Sequence, residues 1–273
     1  MKKQRLDQLV FDLGLTPSRE RARTSIMAGL VYVDGQKADK PGTAVSPESH
    51  IELRGNAVPW VSRGGLKLEK ALREFACRPE GLCCIDCGAS TGGFTDVLLH
   101  NGARKVYAVD VGYGQLAWSL RNDARVVCME RTNIRYVTRE QIPEELDLAV
   151  MDLSFISLRL VLPEVRRLLR EDGQIICLIK PQFEAGREHV GKKGVVRDPA
   201  VHRDVLERFL EFAGAQQFDV LGMSFSPIRG PEGNIEYLAH LSCRAGQSPR
   251  PNVAELVRAS YESFAKENEP DEQ

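Results

Sequence analysis

The chain has 273 residues, and 37 Lys and Arg stand against 38 Asp and Glu, a formal net charge of −1. With 42% hydrophobic and 27% charged residues it has the composition of a folded globular protein, which excludes disorder of the whole chain, and its length fits one large or two unequal domains. The longest stretches without a charged residue, 24–33 and 111–120, hold ten residues each, short of the ~18 apolar residues that a membrane-spanning helix needs. Met1-Lys2-Lys3-Gln4-Arg5 has no apolar run behind it, so no signal peptide is expected. The seven cysteines read as reduced thiols of a cytoplasmic protein.

In chain order, residues 5–13 are expected to be helical, because Leu6, Leu9, Val10 and Leu13 recur at i, i+3, i+4 and i+7. Gly14 stops that helix. Thr16-Pro17 reads as a cap followed by Pro at the first helical position, opening a helix to about Ala28. Residues 30–33 are strand-like, Asp34-Gly35 is a hairpin signal, and residues 45–53 supply a return strand interrupted by Ser46-Pro47. From Trp60 onward strands at 82–87, 105–110, 125–129, 147–152 and 174–180 alternate with helices at 92–101, 115–121, 158–169 and 198–213. Strands at 218–225 and 234–242 close the series. This alternation predicts an α/β fold, a doubly wound and mostly parallel sheet with one antiparallel edge. The domains are therefore expected at 1–55, a linker at 56–61, the α/β domain at 62–245, and a C-terminal helix with a polar acidic tail at 246–273.

Charge is unevenly placed. Residues 1–23 hold six basic and three acidic residues, and residues 187–203 hold five basic and two acidic ones. Such local patches can meet a polyanion although the total is near neutral.

The first strand-to-helix junction of the sheet reads Asp86-Cys87-Gly88-Ala89-Ser90-Thr91-Gly92-Gly93-Phe94. Small residues let the backbone approach a ligand, and the helix N-terminus adds donors. Asp110 ends the second strand, where a carboxylate can accept from the ribose hydroxyls of a nucleoside, with Val111 beside it. The loop fits a dinucleotide or S-adenosylmethionine (SAM). Two features favour SAM: Asp86 would repel a pyrophosphate but suits a cationic ligand, and Ser90 replaces the middle glycine of G-x-G-x-x-G. Asn133, after the third strand, is a candidate adenine neighbour.

Four more residues fall at element ends near the C-terminal edge of the sheet, where open α/β sheets place ligands. Asp152 ends the fourth strand and Lys180 the fifth, Glu236 opens the last, and Lys67 lies on a helix ahead of the sheet. A lysine closing a buried strand needs a partner for its charge, and Asp152 is the neighbouring candidate.

These residues carry a family resemblance. The runs from Asp86 to Thr95, Asp110-Val111-Gly112-Tyr113-Gly114-Gln115-Leu116, Asp152-Leu153-Ser154-Phe155-Ile156-Ser157 and Lys180-Pro181-Gln182-Phe183-Glu184 resemble the TlyA family. That family comprises S4-domain ribosomal RNA 2′-O-methyltransferases long labelled haemolysins. The resemblance reaches to about Ser242 and implies a Rossmann-like SAM-dependent methyltransferase domain behind an S4-like RNA-binding module over about residues 3–55. It implies SAM as cofactor, no metal, and cytidine in ribosomal RNA of assembled subunits as substrate. The Lys-Asp-Lys-Glu tetrad of the wider FtsJ-like class would fall on Lys67, Asp152, Lys180 and Glu236. A lysine of lowered pKa can then serve as general base toward a ribose 2′-hydroxyl, and Lys180 is the expected base.

Arg5, Arg19, Arg21, Arg23 and Arg63 are candidates to track phosphates. Lys192, Lys193 and Arg197, set among Gly186, Gly191 and Gly194, read as a mobile basic lid. Trp60 is expected to pack between the domains. Cys84-x-x-Cys87 reads as buried strand rather than a metal site, since no second Cys/His pair follows. Three rivals stand against this reading. They are a non-catalytic RNA-binding ribosome factor, a membrane-active haemolysin that liposome leakage would reveal, and a pseudouridine synthase, which the SAM-type loop contradicts.

Overall fold

The computed structural model describes residues 3–54 and 58–266; the central linker residues and the acidic tail lie outside the described residues. The N-terminal module opens with β1 (Gln4–Arg5), α1 (Leu6–Asp12) and α2 (Arg19–Met27), followed by β2 (Val31–Val33), β3 (Gln36–Ala38), β4 (Ala44–Val45) and β5 (Ile51–Leu53). Leu6, Leu9 and Val10 of α1 bury against Ala22 and Ile26 of α2 and Val31 of β2, as the helical spacing of the first two helices requires. Asp34 and Gly35 both take positive φ, 51° and 79°, and turn β2 into β3.

One local expectation is corrected and one is borne out. The cap of α2 is Ser18, not Thr16: Ser18 is extended and its side chain accepts from the Arg21 N–H at 3.2 Å, while Thr16 donates to the Ser18 carbonyl at 3.1 Å. The return strand at 45–53 is two strands, because Ser46-Pro47 breaks it. β4 pairs with β1 and β5 with β2.

The second domain is built from α3 (Gly65–Glu74), β6 (Cys83–Cys87), α4 (Gly93–His100), β7 (Lys105–Val109), α5 (Trp118–Arg121), β8 (Val126–Met129), β9 (Leu146–Met151) and α6 (Leu162–Arg166). It continues with β10 (Leu169–Ile179), α7 (Pro181–Glu184), α8 (Pro199–Ala215), β11 (Asp219–Phe225), β12 (Tyr237–Ser242) and α9 (Val253–Lys266). The sheet order is β11-β12-β10-β9-β6-β7-β8. β6, β7, β8, β9 and β10 are parallel, and β12 lies antiparallel between β10 and β11. This is the expected doubly wound α/β sheet with an antiparallel edge. Apolar side chains fill both faces: Ile85, Met151 and Ile175 pack with α6, α8 and α9, and Cys84, Val150 and Leu178 pack with α3 and α4.

Several helices are shorter than periodicity implied. The helix expected at 115–121 spans only Trp118–Arg121. The segment 158–169 splits into a 3-10 turn at Leu158–Leu160 and α6, with Pro163 in the first turn of α6, where its missing N–H costs nothing. Leu169 already belongs to β10. β12 starts at Tyr237, so Glu236 stands just ahead of the strand rather than inside it. Among the described residues no helix is long and apolar enough to cross a membrane.

Candidate active site

The C-terminal edge of the parallel strands gathers the four candidate catalytic residues. Asp152 follows β9, Lys180 follows β10, Glu236 precedes β12, and Lys67 reaches in from α3, whose buried face also carries Leu68, Ala71 and Leu72. β9, β10 and β12 are consecutive in the sheet, which is why positions so distant in sequence converge. Lys67 Nζ lies 2.6 Å from Glu236 Oε2 and 3.0 Å from Asp152 Oδ2, and Lys180 Nζ lies 2.6 Å from Asp152 Oδ1. Two ammonium and two carboxylate groups thus form one chain of ion pairs, Glu236–Lys67–Asp152–Lys180.

The cluster is buried: Lys67, Lys180 and Glu236 are 6%, 8% and 1% exposed. Burial alone pushes the Asp152 carboxyl up, but the two ammonium groups outweigh it and hold it at about 2. Burial likewise pushes Lys67 down, and its two carboxylates more than reverse this, so its pKa is raised. Lys67 is therefore a fixed cation. Among the described residues Glu236 Oε1 has no hydrogen-bond partner. A Cβ on Gly230 would stand 2.7 Å from that oxygen, so a side chain there would displace the carboxylate.

Two adjoining cavities meet at this cluster. One, of about 450 Å³, runs along the edge of β6 and β7 and is lined by Gly88, Ser90, Asp110, Val111, Asn133 and Asp152. The other, of about 210 Å³, is lined by Lys67, Ala89, Gly93, Phe94 and Lys180. Gly88, Ser90, Asp152 and Ser154 belong to both walls. Gly88 has φ +87°, and a Cβ there would meet the Asp152 backbone carbonyl at 3.0 Å; the loop passes that close to the Asp152 backbone because the side chain is missing. Asp110 accepts from the N–H groups of Ser90 (2.8 Å) and Gly112 (2.7 Å), which aims its carboxylate at the cavity rim. Asn133 caps the turn after β8 by accepting from the Arg135 N–H at 3.1 Å, and still lines the cavity.

Two cofactor candidates stand outside both cavities. Asp86 is fully buried beneath the loop and lines neither cavity; its Oδ2 accepts from the N–H and hydroxyl of Thr95 at 2.9 and 2.7 Å. Burial raises its carboxyl to about 7. Its Oδ2 is taken up under the N-terminal turn of α4. Gly92 also lines neither cavity: its Cβ would collide with Leu120 and Leu116, and its φ of +96° makes it a turn residue packed against α5. Gly88, Ala89, Ser90, Gly93 and Phe94 of the loop line one or both cavities, and a cavity of this size suits a nucleoside-sized ligand.

The basic candidates are less free than their sequence suggested. Arg5 and Arg19 both pair with the fully buried Asp7, at 3.0 and 3.1 Å. Arg21 donates to the Val58 carbonyl at 3.3 Å. Arg23 and Arg63 line a cavity of about 380 Å³ between α2 and the cofactor loop. Lys192 and Lys193 sit exposed at the tip of a turn closed by the Gly191 N–H donating to the Val195 carbonyl at 3.1 Å. That turn is fastened, not a loose lid. The buried Asn234 donates to the Gly194 carbonyl at 2.8 Å and accepts from the Val196 N–H at 3.0 Å. Arg197 is exposed just after the turn. Trp60 packs as expected, buried edge-on against His100 at 5.2 Å. Cys83, Cys84 and Cys87 are free and buried, and among the described residues no group of three or more His, Cys, Asp or Glu could hold a metal ion.

Three residues escaped the sequence reading. Ser154 accepts from Lys180 Nζ at 3.0 Å. Glu184 accepts from the Ser157 hydroxyl and the Leu158 N–H, both at 2.7 Å. Asn234 is the clamp just described. The first two lie inside runs already singled out as motifs, and Asn234 stands two residues before Glu236; only contacts across the sheet edge reveal their roles.

Comparison with known proteins matches this geometry. The FtsJ-like methyltransferase family profile matches residues 60–243, and the S4 domain profile matches residues 4–51. The chain belongs to the TlyA group of FtsJ-like methyltransferases. It is 47% identical over 241 residues to the 16S/23S rRNA (cytidine-2′-O)-methyltransferase TlyA of Mycobacterium tuberculosis, covering 88% of this chain and 90% of that one. It is 43% identical over 237 residues to Hemolysin A of Brachyspira hyodysenteriae, covering 86% and 98%. A solved structure from Streptococcus thermophilus described as a hemolysin superposes with a TM-score of 0.80 at 47% identity, covering 99% of this chain and all of that one. The TlyA-type organisation, S4 module first and methyltransferase second, is the one the fold displays.

Proposed function

We propose that this TlyA-type enzyme transfers a methyl group from SAM to the 2′-hydroxyl of a cytidine in ribosomal RNA, with ribosomal subunits as its partner. The observation that carries the reading is the buried Glu236–Lys67–Asp152–Lys180 ion chain, placed on the wall shared by the two cavities. The larger cavity, lined by Asp110, Val111 and Asn133, supports SAM as the ligand: Asp110 would accept from the ribose hydroxyls, and Val111 and Asn133 would border the base. SAM supplies an electrophilic methyl on a sulfonium whose positive charge favours a neutral amine nearby.

Lys67, held by two carboxylates, keeps its proton and fixes Asp152 and Glu236. Lys180 has one carboxylate, shared with Lys67, and lines the acceptor cavity. It is the group positioned to take the 2′-hydroxyl proton. General-base assistance contributes on the order of 10²–10⁴-fold, and aligning the hydroxyl with the methyl contributes the larger share. Exposed Lys192, Lys193 and Arg197, together with the arginines of the S4 module, would hold the RNA backbone.

The test is transfer of labelled methyl from SAM to purified small subunits, large subunits and transfer RNA in parallel, with Lys180→Ala as control. Label in a ribosomal subunit, lost in Lys180→Ala while SAM affinity stays within a few fold, is the expected result. SAM binding without transfer to any RNA would replace the reading with that of a non-catalytic ribosome factor.

A further inference from the structure

Lys180 Nζ has two acceptors within reach: Asp152 Oδ1 at 2.6 Å and Ser154 Oγ at 3.0 Å. A neutral amine carries two N–H bonds and one lone pair. With one N–H directed at Asp152 and the other at Ser154, the lone pair is left a single direction. With Asp152 alone, the second N–H and the lone pair can exchange places, and the lone pair takes either of two directions. We infer that Ser154 is a positioning residue for methyl transfer, its hydroxyl orienting the Lys180 amine so that the lone pair faces the proton of the acceptor 2′-hydroxyl. The inference rests on the reading of Lys180 as the base.

The surroundings fix Ser154 where this role needs it. Its loop, between β9 and the turn at Leu158–Leu160, is clasped by α7 at three places. Lys180, at the N-cap of α7, holds Ser154. The Phe183 ring packs on Phe155 with centroids 5.1 Å apart. Glu184 takes the Ser157 hydroxyl and the Leu158 N–H. Ser154 also lines both cavities, so its hydroxyl stands at the boundary the methyl group must cross. In the transfer step the 2′-oxygen bonds the methyl carbon as the carbon–sulfur bond breaks, the sulfur leaves as a neutral thioether, and the hydroxyl proton passes to Lys180 Nζ. The ammonium so formed keeps both acceptors, so the contact to Ser154 persists from reactant to product and costs no rearrangement.

The experiment is single-turnover methyl transfer to ribosomal subunits by the full-length wild type, Ser154→Ala, Ser154→Thr and Lys180→Ala, with dissociation constants for SAM and subunits measured on each. A small misplacement of a reacting group costs on the order of 10²-fold. Ser154→Ala is therefore expected to slow the chemical step roughly 10- to 100-fold with both dissociation constants within about twofold, and Ser154→Thr to recover most of the rate. A wild-type rate in Ser154→Ala overturns the inference. So does a loss of SAM affinity that accounts for the lost rate, which would make Ser154 a cofactor contact, and so does Ser154→Thr being as slow as Ser154→Ala. Turnover surviving in Lys180→Ala removes the base assignment itself, whereas an inactive Lys180→Ala beside an unimpaired Ser154→Ala removes only the role of the serine.

Discussion

Replacing Lys67 and Glu236 singly and together measures the ion chain directly. Lys67 Nζ is 2.6 Å from Glu236 and 3.0 Å from Asp152, and both partners of the Lys67–Glu236 pair are almost fully buried. Lys67→Met leaves Glu236 buried without a cation, because Lys180 reaches only Asp152. Stranding one member of a buried pair costs about 3–5 kcal/mol. Glu236→Leu leaves two ammonium groups on the single carboxylate of Asp152, a cost of the same order. The double substitution removes one charge of each sign and leaves the neutral Asp152–Lys180 pair. Replacing a buried ion pair by apolar residues of similar size is close to neutral, so the double variant is expected within about 1 kcal/mol of the wild type. The coupling energy then comes to about 5 kcal/mol or more, above the ~0.5–3 kcal/mol usual for contacting residues. Urea unfolding of the full-length chain near neutral pH, followed by circular dichroism, reads each corner of the cycle. Single variants as stable as the wild type, or a double variant whose loss equals the sum of the singles, would refute the account of the chain as a charge-balanced unit.

Asp86 titrates against stability. Its carboxyl is raised to about 7 from an ordinary 3.8, so between those values the native state binds the extra proton and stability falls as pH rises. Asp86→Asn is expected to remove that slope between about pH 4 and about pH 7 in urea unfolding; an unchanged slope would show that the group is ionised throughout. Lys192→Ala/Lys193→Ala is expected to weaken binding to ribosomal subunits and to lower the slope of log K against log salt by about 2, with SAM affinity unaltered. An identical slope would place the turn away from RNA. Burial pushes the thiols of Cys84, Cys87 and Cys177 well above their ordinary value, so native protein should resist iodoacetamide at these positions until denatured; rapid alkylation of any of them would contradict the buried sheet.

Much of the site was legible before the fold. Gly88, Ser90, Asp110, Asp152 and Lys180 lie at strand ends, and strand ends follow from short apolar runs closed by polar or small residues, a local signal. Where a second local rule competed, the reading slipped. Thr16-Pro17 looked like a cap, but Ser18, with the right backbone two residues on, takes the Arg21 N–H. The depth of Asp86 was not legible, because its place in the motif says nothing of burial. Its full burial comes from α4 packing over the loop.

The sequence by itself determined the small N-terminal module followed by the alternating α/β pattern, because these rest on periodicity within short windows, while the S4 and methyltransferase assignments and the four tetrad candidates came from the family resemblance. Only the tertiary structure decided which charges meet. Glu236 pairs with Lys67 and not Lys180, Arg5 and Arg19 turn inward to Asp7, and Asn234 fastens the basic turn. Each is a contact between segments far apart in the chain. Its partner is set by sheet order and by the depth at which a side chain is buried, and a linear pattern carries neither.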